Sequence, residues 1–490
     1  MSSEPYFSFL KKLAENNRLW TNFTQDVKLE ENGIKFKKIP WAEQLKVIDT
    51  FMNKQGFCGM IQAPTGSGKT NIFLFLLGLI NKRSLIIVPT SSLVEQTYQR
   101  VLEVIDIDKN RVGRYYSKRK ELRDITISTW QSLYKKDTFE KILEFGFNVI
   151  IADEAHRTSA EKYGWILNSY PAMYKIGVTA TPFHTNQENT EKMKLLLGPI
   201  VYKVDIEDLY NSGNLVRPNV AFIKTGVNIN IMNIFIDRYI NDMNNNPKFT
   251  EFVRYKLSCN GLESEKMELE ALAYNYFFID DFAYKCASAI DQKNYPPVET
   301  IDVTARNQAL GILKSGIDNN PLRRMNIISF IVETIQKAGK SLILLNTIDN
   351  CNLYQEELAK YGIDTIVITG KSKNKGDLLK QFNDAKDAIA IGTTSLLGEG
   401  LDIPSLKNLY VCSPVYPPFN DLARVAQVPG RAVRSYEGKT EANIVYFDDM
   451  YEHKWIEFKK EAAKEIISEE FHPNYLSPDE MEMRLRGENF

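Results

Sequence analysis

The chain has 490 residues, with 61 Lys+Arg against 62 Asp+Glu, so its net charge of -1 provides no global basic field to attract nucleic acid. Hydrophobic residues make up 43% and charged residues 25%, a globular composition that excludes collagen-like, disordered and disulfide-stapled classes. At roughly 150 residues per domain, the length implies two or three domains.

The five cysteines (Cys58, Cys259, Cys286, Cys351 and Cys412) contain no CxxC pair and there are four His, which argues against a zinc site or a disulfide framework. The longest apolar run, Ile72 to Ile80, is nine residues, against the ~20 a membrane-spanning helix needs. The opening MSSEPYFSFLKKLAENN has no positive segment followed by an apolar one. An intracellular, cytoplasmic and monomeric protein without membrane contact is expected.

Residues 1–35 are too few for an independent core and read as an accessory segment on the domain that follows. Across 36–227, short apolar runs alternate with amphipathic stretches: CGMIQA (58–63), SLIIVP (84–89), ITIS (125–128), NVIIAD (148–153) and YKIGVTA (174–180). Such runs between helices predict a parallel sheet covered on both faces. Residues 228–320 break the pattern with an Asn-rich stretch and a helical aromatic one (268–290), read as a mostly helical insertion. Its aromatics from Tyr274 to Tyr284 are read as helical core rather than a stacking platform. From 321 to 450 the alternation returns with SLILLN (341–346), DTIVIT (364–369), AIAIGT (388–393), NLYVCS (408–413) and EANIVYF (441–447). In the tail, 451–490, Ser477 and Glu480 form a capping box with Pro478 at the first helical position, predicting a short final helix. The fold class is α/β with two tandem parallel-sheet domains and a helical insertion between them.

The first apolar run leads into Ala63-Pro64-Thr65-Gly66-Ser67-Gly68-Lys69-Thr70 and then an apolar helix. Small residues let consecutive backbone N–H groups curl around phosphate oxygens at a helix N-terminus. Lys69 can reach the β- and γ-phosphates of ATP, and the Thr70 hydroxyl can ligate Mg²⁺. A later strand ends in Asp153-Glu154-Ala155-His156. There Asp153 suits a water-mediated Mg²⁺ contact, and Glu154 can orient and deprotonate an attacking water.

APTGSGKT, DEAH, Thr179-Ala180-Thr181-Pro182 and Gln427-Val-Pro-Gly-Arg431-Ala-Val-Arg434 occur in the order found in superfamily 2 helicases, and the chain resembles a DExH-type member. The resemblance implies two recombinase-like domains with ATP in the cleft between them. It implies Arg434 as an arginine finger, Arg431 as its support, and Gln427 at the γ-phosphate or attacking water. It further implies Gln44 as an adenine-reading residue and Gly400 and Asp402 near the ATP site. His156, Thr179 and Thr181 would couple hydrolysis to nucleic-acid binding. Pro89, Thr90, Thr129, Trp130, Thr393 and Thr394 would contact the nucleic-acid backbone, although each Thr alone is equally a cap or turn residue.

The stretch Lys109 to Arg123 holds seven basic residues and two tyrosines, and reads either as a backbone-tracking strip or as a solvated edge strand and loop. Gln427 in place of His, DEAH in place of DEAD and TATP in place of SAT resemble DNA translocases rather than DEAD-box RNA helicases. The ISTWQSLYKK segment resembles phage recombination helicases. The expectation is a DNA helicase or translocase on forked or branched substrates. An RNA-directed or transcription-coupled helicase and a nucleotide-gated clamp are the alternatives.

Overall fold

The computed structural model describes residues 28–30, 33–53, 58–180, 187–230, 234, 314–335, 339–370, 372, 375–394, 403–414, 422–451 and 454–488. Nearly all of the expected insertion, its aromatic stretch, and most of residues 1–35 lie outside them. Two compact units are present. The first is built from the described residues of 1–216 together with 426–435; the second holds the remaining described residues.

The first unit is organised on an eight-stranded sheet. Its strands are β1 (Cys58–Gln62), β2 (Ser84–Val88), β3 (Val112–Tyr116), β4 (Arg119–Lys120), β5 (Ile125–Thr129), β6 (Val149–Asp153), β7 (Tyr174–Thr179) and β8 (Ile200–Lys203). They lie in the order β8-β1-β7-β6-β2-β5-β3-β4. Every pairing is parallel except the short β3–β4 hairpin. Every residue of β2, β5 and β6 is buried, as the continuous apolar runs require of a sheet covered on both faces.

Helix α1 (Ala42–Asn53) precedes β1, and α2 (Lys69–Ile80) follows it. The α2 sequence is apolar around its circumference, so the helix is sunk in the core with eight side positions buried from Ile72 to Ile80. Asn81 closes α2 in the left-handed region at φ 54, where its backbone N–H donates to the Leu77 carbonyl. Helices α3 (Ser91–Val104), α4 (Trp130–Leu133), α5 (Lys136–Phe145) and α6 (Glu161–Ser169) complete the described cover that bears on the site.

In the second unit a seven-stranded sheet contains β9 (Pro218–Ile229), β10 (Ser341–Leu345), β11 (Ile366–Ile368), β12 (Ile389–Thr393), β13 (Asn408–Val411), β14 (Ala442–Tyr451) and β15 (Asn474–Tyr475). Their order is β11-β12-β10-β13-β14-β9-β15, all parallel. Strand β9 corrects the expected border at 227/228: it runs through that border and hydrogen-bonds along β14. Its second half alternates buried Thr225, Val227 and Ile229 with exposed Lys224, Gly226 and Asn228, so it shows no continuous apolar run.

A row of amides, buried at Asn219, Asn443 and Asn408 and reaching the exposed Asn474 at one end, pins the register of this sheet. Asn474 donates to Asn219 (3.2 Å), Asn219 to Asn443 (2.9 Å), Asn443 to Asn408 (2.9 Å) and Asn408 to the Ser341 hydroxyl (3.2 Å). A one-residue slip would strand these buried polar groups without partners. Helix α7 (Pro321–Thr334) carries the fully buried Arg323, whose Nε donates to both Asp449 oxygens at 2.9 Å and whose Nη2 donates to the Cys412 carbonyl at 2.7 Å. Helix α8 (Leu422–Ala432) crosses from the second unit's residues into the first's. The closing helix α9 (Pro478–Leu485) has the expected capping box between Ser477 and Glu480, with Pro478 in its first turn. Among the described residues, no helix is long and apolar enough to cross a membrane.

Candidate functional site

The residues expected to handle ATP converge on the carboxyl edge of the first sheet, where β1, β7 and β6 are neighbours. Open parallel sheets place ligand sites at this edge because loops leave there and helices begin there. The 63–70 loop leaves β1 and folds as a tight turn, with the Ser67 N–H donating to the Pro64 carbonyl at 3.2 Å. Gly66 (φ 95) and Gly68 (φ 77) supply left-handed backbone that most side chains disfavour. The Ser67 hydroxyl is buried yet has no hydrogen-bond partner among the described residues. A buried donor left in this state fits a loop whose polar groups are satisfied by phosphate oxygens. Lys69 donates to the Ala63 carbonyl at 3.3 Å, which folds its ammonium back over the turn.

Gln44, on α1, is buried and pinned to this loop: its amide donates to the Ser67 carbonyl at 3.3 Å and accepts from the Trp41 N–H at 3.1 Å. A Cβ at Gly68 would come within 2.5 Å of Gln44 Nε2, so the glycine is needed for this contact. Gln44 therefore braces the phosphate loop through its own side chain.

Asp153 ends β6, and its carboxylate accepts from the Glu154 N–H at 3.0 Å. Burial first, and then the neighbouring Glu154, push the Asp153 carboxyl up to about 7, while Lys69 pulls it down. This is a dry acidic position beside a cation, a donor set suited to Mg²⁺ with Thr70 at the start of α2. Glu154 sits in the left-handed region at φ 50, ψ 54, a conformation that costs a non-glycine residue roughly 1–2 kcal/mol and turns the chain sharply at the strand end. The His156 ring lies 3.5 Å from the Glu154 carboxylate, and its Nδ1 is 3.1 Å from the Thr179 hydroxyl. The Thr179 carbonyl in turn accepts from the Ala63 N–H at 2.9 Å. The acidic pair, His156, Thr179 and the phosphate loop thus form one bonded chain.

Within the same compact unit, the end of α8 lies against the phosphate loop. A Cβ on Gly430 would fall 2.3 Å from Thr65 Cβ and Cγ2, so a residue without a side chain is required for the backbone to approach this closely. A Cβ on Gly66 would lie 3.7 Å from Arg434 Cγ. Arg434 is anchored by an antiparallel bridge to Leu215 and by the neighbouring Val216 N–H, which donates to the Val433 carbonyl at 2.7 Å. Gln427 and Arg431, also on α8, are half-buried. The sequence marked these polar residues but not Gly430 or the Leu215–Val216 clamp. The glycine between Pro429 and Arg431 was the available signal.

The expected backbone contacts distribute unevenly. Pro89 and Thr90 follow β2, Thr129 ends β5 and Trp130 opens α4, so all four share the sheet edge that carries the phosphate loop. Thr90 also caps α3, accepting from the Leu93 N–H at 3.3 Å. The Thr129 hydroxyl pairs with Ser132 at 2.9 Å, and Trp130 stacks on Tyr163 with centroids 6.3 Å apart. In the second unit Thr393 and Thr394 are buried at the end of β12, and Thr394 donates to Asn346 at 3.0 Å. Thr181, Gly400 and Asp402 lie outside the described residues.

Half of the Lys109–Arg123 stretch proves to be structural. Strand β3 pairs with β5, burying Val112 and Tyr115. Arg114 pairs with Glu95 at 2.8 Å and lies 4.0 Å over the Tyr98 ring, while Arg111 pairs with Asp124 at 2.8 Å and Glu30 at 2.6 Å. These charges are spent locally. Of the two readings of this stretch, the edge strand and loop describes Lys109 to Tyr116, which contains a half-buried strand, while the exposed cations lie beyond it.

Comparison with known proteins fits this geometry. The profile of the type III restriction enzyme res subunit matches residues 37–184, and that of the helicase conserved C-terminal domain matches 323–436. The chain belongs to superfamily 2 of helicases and translocases. Members of this superfamily are ATP-hydrolysing enzymes, and the two parallel sheets are its recombinase-like domains. The DNA 3'-5' translocase XPB2 of Sulfurisphaera tokodaii is 25% identical over 389 residues, covering 78% of each chain. A transcript termination protein of Yaba monkey tumor virus is 24% identical over 393 residues, 78% of this chain and 66% of its own. Among solved structures, a DNA-bound ATP-dependent type ISP restriction-modification enzyme, LlaBIII, shares the fold with a TM-score of 0.53 at 15% identity. That match covers 84% of this chain and 28% of the enzyme.

Proposed function

We propose that the chain is a DNA translocase or helicase that couples ATP hydrolysis to movement along forked or branched DNA. The observation that carries this reading is the bonded chain from the phosphate loop through Thr179 and His156 to Glu154, with the Arg434 stem over Gly66. Lys69 and the loop N–H groups would hold the phosphates, and Thr70 and Asp153 would hold Mg²⁺. A magnesium ion held by these two residues would supply neutralisation of the phosphate charge. Glu154 accepts the proton of the attacking water, and Arg434 stabilises the charge developing on the transferring phosphoryl group. Gln427 contacts the same γ-phosphate and Arg431 supports Arg434.

His156 and Thr179 are the coupling pair in this proposal, because their side-chain contact links the turn that carries Glu154 to the strand end beside the loop. His156→Ala is expected to keep DNA-stimulated ATP turnover within about tenfold of wild type while consuming several times more ATP per triplex strand displaced. An unchanged ratio of ATP consumed to strand displaced would remove the coupling role.

The choice of DNA rests on the translocase relative and on the Gln427, DEAH and TATP variants. Transcript release through RNA or a transcription complex is the second reading, favoured by the transcript termination protein of Yaba monkey tumor virus. A panel of matched single-stranded DNA, duplex DNA, forked DNA and single-stranded RNA separates the two by ATPase stimulation. The expected order is fork above duplex above RNA. Stimulation by RNA alone overturns the DNA assignment.

A further inference from the structure

In the first unit, away from the ATP site, a cavity of about 450 Å³ opens between the β3–β4 hairpin and the N-terminal turn of α5. Tyr115, Lys120 and Arg123 line one wall; Lys135, Thr138 and Lys141 line the other. Four of these six are cations, and Asp137 is the acid among the cavity's lining residues. Among the described residues, none of Lys120, Arg123, Lys135 and Lys141 forms an ion pair with a carboxylate, whereas Arg111 and Arg114 nearby are paired with acids. All four are exposed. Like charges left together at a cavity repel one another, so the arrangement favours an anionic occupant.

We propose that this groove holds the phosphate backbone of DNA, as a contact strip additional to the residues after β2 and β5; the inference rests on the DNA-translocase reading above. Three observations select a polyanion chain over a single small anion. Lys135 caps α5 and Lys141 lies about 9 Å further along it at 1.5 Å per residue, well beyond the ~3.4 Å axial rise per nucleotide, so the two cations would meet different phosphates of a chain. The strip continues past Lys135 to Tyr134, which is 41% exposed and has the Lys162 ammonium 5.4 Å from its ring centre. Exposed aromatic and basic side chains in alternation suit a sugar-phosphate chain with bases stacked beside it. Finally, α4 follows Thr129 directly and α5 begins two residues after α4, so the groove lies on the path that leaves the sheet edge carrying the phosphate loop. The lining offers cations and hydroxyls and no Asn or Gln, which gives affinity without base reading.

The test uses the full chain carrying Lys120→Ala, Arg123→Ala and Lys141→Ala, with Lys135 kept as the helix cap. Binding to a duplex oligonucleotide is followed by fluorescence anisotropy across a salt series, beside unstimulated ATPase and thermal unfolding. Each lost phosphate contact lowers the slope of log K against log salt by about 0.9, so a fall of roughly 2–3 is expected, with about tenfold weaker binding near physiological salt. Unstimulated ATPase and the unfolding temperature should match wild type. Lys120→Gln with Lys141→Gln should give about two-thirds of the same slope change. If wild type binds DNA and is stimulated by it while the triple variant keeps the same slope and affinity, the groove is overturned and the DNA reading survives. Wild type that neither binds nor responds to DNA overturns both. A slope change seen with RNA and absent with DNA also overturns the assignment.

Discussion

Arg434→Ala lowers DNA-stimulated ATP turnover by about 10³-fold or more, with little change in ATP affinity. The guanidinium is proposed to act on charge that appears only as the γ-phosphoryl group transfers, and arginines in that role contribute 10³–10⁵ in rate. Ground-state binding depends instead on the loop N–H groups and Lys69, which the substitution leaves in place. Arg434→Lys should recover little, because an ammonium lacks the planar fork that meets two phosphate oxygens together. The neighbouring glycine offers a check that leaves the arginine itself intact. Gly430→Ala places a methyl 2.3 Å from the Thr65 side chain, so α8 must back away from the loop and carry Arg434 with it. Its turnover should fall by at least about tenfold, by the misplacement argument for positioned catalytic groups. Single-turnover hydrolysis with ATP affinity measured separately decides the matter. Near-normal turnover in Arg434→Ala removes the residue from the reaction.

Local chemistry makes the phosphate loop and acidic pair legible in the sequence alone. A strand, small residues, Lys69 and a helix must be consecutive to cradle phosphate, so the sequence displays the site in one line. The same holds for the five apolar runs of the first sheet, since a strand buried on both faces has no polar positions to disguise it. Features assembled by tertiary contact were hidden. Strand β9 alternates polar and apolar residues and resembles an ordinary loop until its partner β14 is known. The Gly430–Thr65 approach joins residues far apart in the chain, and nothing local to either announces it. The basic stretch left two readings open for a related reason. A run of charges has no stated partners in sequence, and Glu95, Asp124 and Glu30 come to Arg111 and Arg114 only when β3 enters the sheet. Lys135 and Lys141 escaped notice because they lie on a different element from the hairpin whose groove they complete.

Glu154→Gln separates binding from chemistry most cleanly. The amide preserves the size of the side chain and the left-handed turn at φ 50, so the loop geometry around it has no reason to change. What is lost is a carboxylate able to accept the proton of the attacking water, and such bases contribute about 10²–10⁴ in rate. The electrostatics of Asp153 move in the helpful direction. Burial is the larger cause of its upward shift to about 7, but the Glu154 charge is the second cause. Neutralising that charge lowers the Asp153 pKa, so the ionised form suited to Mg²⁺ becomes more populated at neutral pH. The variant should therefore bind ATP with Mg²⁺ at least as tightly as wild type while turning it over about 10²-fold more slowly or worse. Lys69→Ala, by contrast, removes a phosphate contact and should weaken ATP binding itself. Equilibrium binding of a fluorescent ATP analogue, measured with turnover on the same preparations, distinguishes the two. Loss of ATP binding in Glu154→Gln would assign the carboxylate to holding the loop together, and unimpaired turnover would assign the proton transfer to another group.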